Sequence, residues 1–238
     1  MKIGILKADS VLEQFQPEFG DYPDMFIARL ATQVGPEVAF VTYDVEHLEY
    51  PANLDECAGY IITGSKKSVY DDEQWIRRLE GFVRELDRAK KPLIGVCFGH
   101  QLVAQALGGK AEAAPIGWGV GVHTNHIVSP QDYMQPPLTE ARVLVSHKDQ
   151  VTRLPPGAEK LATSDFCPNS MFQVGHHILC IQGHPEFIKA YSKSLMTMRR
   201  EILGEAVFEA GVESLDQALD SDILAKWMLR FLGAPIAA

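Results

Sequence analysis

The stretch "PLIGVCFGHQ", residues 92–101, sets a cysteine between glycines directly after an apolar run. The run 93–96 predicts a short buried strand, and residues 101–107 carry their apolar side chains on one face of a helix. Cys97 therefore falls at the turn from strand to helix. Its flanking glycines have the spacing of the G-x-S-x-G elbow, in which a strained turn lifts a nucleophile out of a sheet. The alternative interpretation is a small buried apolar residue in an ordinary glycine turn.

Strands and helices alternate along the first part of the chain. Apolar runs at 2–6, 37–42 and 59–63 predict strands, and residues 23–34 and 75–86 show helical spacing. Such alternation predicts an α/β protein with an open, mostly parallel sheet and helices on both faces.

The second part of the chain has a different pattern. From about residue 113 to residue 172 the periodicity is short and strand-like, with "PP" and "PG" punctuation, which predicts a small antiparallel β insertion. A buried run at 177–182 follows, and the part from about 187 to 238 predicts helices. With 46% hydrophobic residues in 238, we expect one domain over residues 1–238.

Composition and charge exclude several kinds of partner. Lys and Arg number 22 against 31 Asp and Glu, and no basic cluster is suited to tracking phosphates, so we expect no nucleic acid partner. No uncharged run approaches the roughly 20 residues that a membrane helix needs, so we expect no membrane association. The four cysteines lack the close spacing of metal ribbons, which suits a reducing compartment and predicts a cytoplasmic location.

One histidine pair has the residue types of a metal site. His123 and His126 are three positions apart in a strand-like segment, so their side chains should point to opposite faces. We therefore expect no metal site, and the sequence predicts no cofactor.

Three strand ends carry residues suited to chemistry. Parallel sheets place their reactive groups at the carboxyl ends of strands, which here are "TGS" at 63–65, Cys97, and "QGHPE" at 182–186. His184 can act as a base, and Glu186, two residues further along an extended segment, faces the same side and can hold the imidazole in the required tautomer. An isolated "HPE" is better explained as a solvent-facing turn, but beside the elbow it predicts a triad of Cys97, His184 and Glu186.

A thiolate that attacks a carbonyl also needs N–H donors for the developing negative charge. The backbone N–H of Phe98, directly after Cys97, is one candidate, and the backbone at Gly64 and Ser65 offers the other. The alternative for Gly64 and Ser65 is a plain turn at the end of a strand.

With "GVCFGHQ" followed far downstream by "GHPE", the stretch from about residue 59 to residue 187 resembles the class I, triad-type glutamine amidotransferases. The two motifs together are specific, whereas either one alone is a weaker signal. The resemblance implies a flavodoxin-like fold and a glutamyl thioester on the Cys97 thiol. It also implies that His184 is the general base and acid and that Glu186 is the carboxylate that orients it.

The same resemblance implies a set of residues that contact a bound glutamine, mostly through their backbone. They are Gln101, Ser146, His147, Lys148 and Asp149. Many family members have two glycines and a proline after the third strand, whereas this chain has Gly64-Ser65-Lys66. The oxyanion donor at this place is therefore expected to be the Ser65 N–H.

Four segments together, "GVCFGHQ", "GWGVGV", "SHKDQVTRLPPGAE" and "IQGHPE", are similar to the stand-alone γ-glutamyl peptidases of plants and to microbial amidotransferase-like proteins. We therefore expect a hydrolase of a small-molecule substrate, the side-chain amide of glutamine or a γ-glutamyl compound, acting through a Cys97 thioester. The alternatives are a stand-alone γ-glutamyl peptidase and a non-catalytic ligand-binding member of the fold. A separate synthase subunit is an open partner, because an enzyme that passes ammonia onward needs one.

Overall fold

The computed structural model describes residues 1–237. Within them lie eleven strands and eight α-helices. The strands are β1 (Lys2–Lys7), β2 (Ala39–Asp44), β3 (Gly59–Ile62), β4 (Leu93–Val96), β5 (Lys110–Ala113), β6 (Gly119–Ile127), β7 (Glu140–His147), β8 (Asp149–Arg153), β9 (Ala158–Thr163), β10 (Met171–Val174) and β11 (Ile178–Ile181). The helices are α1 (Gln16–Phe19), α2 (Tyr22–Leu30), α3 (Gln74–Arg88), α4 (Phe98–Ala106), α5 (Lys189–Met198), α6 (Arg200–Leu203), α7 (Glu205–Ser214) and α8 (Ser221–Phe231).

Nine of these strands form one mixed sheet in the order β2-β1-β3-β4-β11-β10-β9-β6-β7. The first five strands of this order pair in parallel, and the remaining pairs are antiparallel. The prediction of an α/β fold with an open sheet and an antiparallel segment is confirmed. Most of that segment continues the central sheet, and β5 and β8 form a separate two-stranded sheet.

Helices cover both faces of the parallel part. Successive side chains of a strand point to opposite faces, and accordingly Ile62 packs in a cluster with α3 and α4, whereas Ile61 packs in a second cluster with α2 and α8. The strands β3, β4 and β11 are buried along their whole length. This explains why their sequences are continuous apolar runs rather than alternating patterns.

The same three strands are neighbours in the sheet and run in the same direction. Their carboxyl ends therefore bring the segments 63–65, 97–98 and 182–186 to one place at the edge of the sheet. No helix in the described part of the chain is long and apolar enough to cross a membrane. The single domain over residues 1–238 stays a prediction, and Ala238 lies outside the described residues.

Candidate active site

Cys97 occupies a strained turn between β4 and α4. Its backbone has φ 52° and ψ −101°, a conformation that residues other than glycine rarely adopt. The backbone N–H of Cys97 donates to the carbonyl of Ile181 at 2.9 Å, which ties the turn to β11. Cys97 stands directly before the first residue of α4. At this end of a helix, the free N–H groups and the helix dipole stabilise a negative charge.

Two glycines allow α4 to begin directly behind this turn. A Cβ atom at Gly95 would lie 2.5 Å from the carbonyl oxygen of Gly99, and one at Gly99 would lie 2.7 Å from the carbonyl oxygen of Ile62. Both distances are far shorter than real contacts, so the elbow spacing noted in the sequence reflects close backbone packing.

His184 and Glu186 form a buried pair at the end of β11. The distance from His184 Nδ1 to Glu186 Oε1 is 2.7 Å, and the two side chains are 4% and 0% exposed. The His184 backbone N–H donates to the carbonyl of Leu144 at 2.8 Å, which holds the segment against β7. The contact between these two side chains that the sequence predicts is therefore present.

The imidazole of His184 lies beside Cys97. A Cβ atom at Gly64 would be 3.0 Å from His184 Cε1 and 3.8 Å from Cys97 Cβ, so the three residues meet around one point. Burial alone would lower the pKa of His184, but the adjacent Cys97 thiolate and the Glu186 carboxylate raise that pKa to about 10. The arrangement therefore favours the protonated form of the His184 ring.

An aromatic stack fixes the plane of this ring. The Phe187 ring lies parallel to the His184 imidazole, with centroids 3.9 Å apart and planes 9° apart. Tyr22 stacks on Phe187 in turn, at 6.2 Å and 14°. Sequence reasoning assigned no role to either aromatic residue. For Phe187 the available signal was its position directly after "GHPE".

The backbone at Gly64 and Ser65 is held from behind by a buried carboxylate. Asp9 Oδ2 accepts the Lys66 backbone N–H at 2.7 Å, and Asp9 Oδ1 lies 2.8 Å from Lys66 Nζ. Within residues 1–237, the N–H groups of Ser65 and Phe98 donate to no protein acceptor. Both N–H groups expected to serve as oxyanion donors are thus unused by the fold, and sequence reasoning missed Asp9.

A pocket of about 160 Å³ opens above Cys97. It brings together the nucleophile candidate, the Ser65 loop and every residue that the family resemblance assigned to glutamine. Its lining consists of Ser65, Lys66, Lys67, Ser68, Cys97, Gln101, Trp118, Ser146, His147, Lys148, Asp149 and Arg199. Arg199 was not among the predicted site residues, and it carries no sequence signal because it lies outside every motif.

The side chains of Gln101 and His147 contact the backbone of the pocket wall. Gln101 Nε2 donates to the carbonyl oxygen of Asp149 at 2.9 Å and to Gln182 Oε1 at 3.2 Å. His147 Nδ1 lies 3.1 Å from the same carbonyl oxygen, and burial lowers the pKa of His147 to about 3. The side chains of Gln101 and His147 therefore position the backbone of 146–149.

The Asp149 carboxylate faces hydroxyl groups rather than a cation. Ser68 Oγ donates to it at 2.5 Å and the Tyr70 hydroxyl at 3.1 Å. Two pocket lysines have carboxylate partners, Lys66 with Asp9 and Lys67 with Glu73.

The histidine pair at 123 and 126 does not form a metal centre with its neighbours. His126 Nδ1 lies 3.2 Å from Glu140 Oε1, and the His123 ring packs against Phe166. Residues 1–237 hold no group of three or more His, Cys, Asp or Glu side chains placed to bind a metal ion.

Comparison with known proteins gives consistent matches. The family described as "Glutamine amidotransferase class-I" matches residues 18–200. Gamma-glutamyl peptidase 3 of Arabidopsis thaliana is 36% identical over 143 residues, which cover 58% of this chain and 57% of that protein. A glutamine amidotransferase-like protein of Schizosaccharomyces pombe is 30% identical over 248 residues, 97% of this chain and 98% of that protein.

Two further similarities are to a larger enzyme, of which only part is matched, and to a solved structure. A glutamine-hydrolyzing GMP synthase of Porphyromonas gingivalis is 29% identical over 215 residues, which cover 86% of this chain but 40% of that protein. A glutamine amidotransferase from Thermotoga maritima has a solved structure with a TM-score of 0.77 at 19% identity, covering 98% of both chains. This structural likeness shows the fold.

Proposed function

Because this chain belongs to the class-I glutamine amidotransferase family, we propose that it hydrolyses the side-chain amide of glutamine or of a larger γ-glutamyl compound through a thioester on Cys97. The observation that carries the proposal is the strained Cys97 turn next to the buried His184–Glu186 pair on the neighbouring strand. A nucleophile, a proton carrier and an orienting carboxylate in contact are the minimum for acyl transfer from an amide.

In the first half of the reaction, the Cys97 thiolate attacks the carbonyl carbon of the γ-amide. The N–H groups of Ser65 and Phe98 are the donors for the oxyanion that forms. The protonated His184 ring then gives its proton to the amide nitrogen as the C–N bond breaks, so that the amine leaves and the glutamyl group stays on sulfur. Glu186 accepts from Nδ1 throughout, which leaves Nε2 for this proton transfer.

In the second half, the neutral His184 ring takes a proton from water as the oxygen attacks the thioester carbonyl. The C–S bond breaks, glutamate leaves, and the thiolate with its protonated histidine is restored. The chemistry requires a reduced thiol at Cys97, and the proposal accordingly locates the protein in the cytoplasm.

A non-catalytic binding protein of this fold is the alternative from another class. Such a protein has no need of a buried carboxylate 2.7 Å from a buried imidazole beside a thiol. Burying this pair without a use would cost stability, because desolvated charged groups are expensive. These observations favour an enzyme.

A partner synthase that receives ammonia is the second candidate within the enzyme class. Its support is the similarity to the GMP synthase of Porphyromonas gingivalis, in which the matched part is less than half of the protein. The similarity to gamma-glutamyl peptidase 3 supports a hydrolase that acts on γ-glutamyl amides larger than glutamine. The two candidates share the Cys97 chemistry and differ in the group on the amide nitrogen.

The deciding experiment offers the purified protein glutamine and a panel of γ-glutamyl peptides and measures glutamate release from each. Turnover of peptides well above that of glutamine supports the stand-alone peptidase. Slow glutamine turnover that rises when a synthase is added supports the ammonia-supplying subunit. Binding of these compounds without glutamate release would overturn the proposal in favour of the non-catalytic alternative.

A further inference from the structure

Arg199 lines the pocket, and its positive charge has no carboxylate partner among the described residues. It lies between α5 and α6, and its Nη1 donates to Ser146 Oγ at 2.9 Å. Its guanidinium carbon lies 5.4 Å from the centre of the Trp118 ring. Within residues 1–237 Arg199 forms no salt bridge with a carboxylate. A hydroxyl and an aromatic ring hold the guanidinium in place and leave its charge unneutralised.

The position of Arg199 relative to the reacting atoms is specific. Besides the main pocket, it lines a smaller adjoining cavity that also contacts Gly64, Cys97 and His184. His184 delivers the proton to the departing amine in the proposed reaction, so this cavity lies on the leaving-group side of Cys97. Lys148 also forms no salt bridge in the described part of the chain, but it lines only the main pocket.

We propose that Arg199 binds a carboxylate on the leaving group, so that the substrates are γ-glutamyl amides of an amino acid or a short peptide. This inference rests on the proposed function and deepens it. A guanidinium offers a planar pair of N–H donors that matches a carboxylate, which makes Arg199 suited to this contact. Glutamine releases ammonia, which has no carboxylate, and therefore gains nothing from Arg199.

The test compares matched substrates that differ in one group. The pairs are γ-glutamylalanine with its C-terminal amide and γ-glutamylalanylglycine with its C-terminal amide. For each pair the preference is the ratio of kcat/KM for the acid to kcat/KM for the amide. Because any loss of folded or active enzyme affects both substrates of a pair equally, this ratio reports the carboxylate contact alone.

The wild type is expected to prefer the acid by about 10- to 100-fold in at least one pair, as one charge-assisted contact predicts. Arg199→Gln should bring that preference close to one, and Arg199→Lys should keep part of it. The control is Arg200→Gln, because Arg200 is exposed, pairs with Glu205 and lies outside the pocket. That control should retain the wild-type preference.

Other results overturn the inference in distinguishable ways. A wild type that hydrolyses both members of each pair equally, or a preference that survives Arg199→Gln, removes Arg199 from leaving-group recognition. An equal loss on acids, amides and glutamine would place Arg199 at the glutamyl half of the substrate. A wild type that hydrolyses none of these compounds would refute the proposed function itself, and the inference with it.

Discussion

Glu186 Oε1 lies 2.7 Å from Nδ1 of His184, and both side chains are buried at the end of the strand next to the one that leads to Cys97. A carboxylate in this position fixes the tautomer of the ring and stabilises its protonated form. The pair therefore gives the proposed mechanism a graded set of consequences for mutation.

Glu186→Gln should lower kcat by about 10- to 1000-fold with little change in KM, because a neutral amide stabilises the charged ring less. His184→Ala should lower kcat further, because it removes the group that carries the proton in the proposed mechanism. Steady-state kinetics on the best substrate of the panel measure both variants. A Glu186→Gln enzyme as fast as the wild type would show that the carboxylate has no part in the reaction.

The activity should persist to an unusually alkaline pH for a histidine-dependent enzyme. Burial opposes the charged form of His184, but the Cys97 thiolate and Glu186 raise its pKa from 6.5 to about 10. Since this folded-state pKa is raised, protonation of His184 contributes stability that is complete below pH 6.5 and is lost as pH rises through 10. In the proposed mechanism the protonated ring is also the acid for the leaving amine, so kcat/KM should fall only near pH 10.

A pH profile of kcat/KM measures this alkaline decline in activity. Glu186→Gln should move the decline to lower pH, because one of the two negative groups beside His184 is removed. A wild-type profile that already falls near the ordinary histidine pKa would contradict the account.

Gly99→Ala should destabilise the protein by about 1–3 kcal/mol and lower activity, because its Cβ would lie 2.7 Å from the carbonyl oxygen of Ile62. Gly81→Ala is the matched control, since a Cβ on this residue of α3 meets only the Arg78 guanidinium at 3.8 Å. That change should stabilise the helix by about 0.5–1 kcal/mol. Urea unfolding monitored by circular dichroism compares the two. Equal effects of both substitutions would mean that the elbow does not depend on close packing.

Asp9→Asn should reduce kcat by about 10-fold with KM nearly unchanged, because Asp9 holds the loop that carries the Ser65 N–H and the proposed mechanism uses this donor in the transition state. Asp222→Asn, which removes a surface ion pair with Arg29, serves as the control. A rise in KM with kcat retained would assign Asp9 to substrate binding instead.

Much of the fold followed from the sequence because parallel strands buried on both faces have continuous apolar runs. The meeting of the "TGS", Cys97 and "GHPE" segments followed from the same rule, since parallel neighbours end at one edge. The period of a strand does not specify its partner, so the continuation of the central sheet by β10, β9, β6 and β7 was not predictable.

The residues that sequence reasoning missed share one property. Asp9, Tyr22 and Arg199 reach the site from segments far from the motifs, and only the packing of the chain brings them there. The sequence also did not predict where the helix expected over 23–34 ends. The α-helix ends at Leu30 and continues as a 3₁₀ turn over Ala31–Gln33, a distinction that apolar spacing does not contain.

Cys97→Ser should abolish glutamate release without unfolding the protein, because a hydroxyl is a far weaker nucleophile than a thiolate. The change is nearly isosteric, so circular dichroism should match that of the wild type. Near-normal glutamate release by this variant would remove Cys97 from the mechanism.

The most direct test of the thioester is covalent labelling with a diazo-ketone analogue of glutamine, followed by peptide mapping of all four cysteines. All four thiols are buried, but Cys97 lines the pocket, and burial raises the pKa of Cys167 to about 12 and that of Cys180 well above its ordinary value. The account predicts one label per chain, on Cys97, with loss of activity in proportion and protection by substrate. Label spread over Cys57, Cys97, Cys167 and Cys180, or full inactivation with Cys97 unmodified, would contradict it.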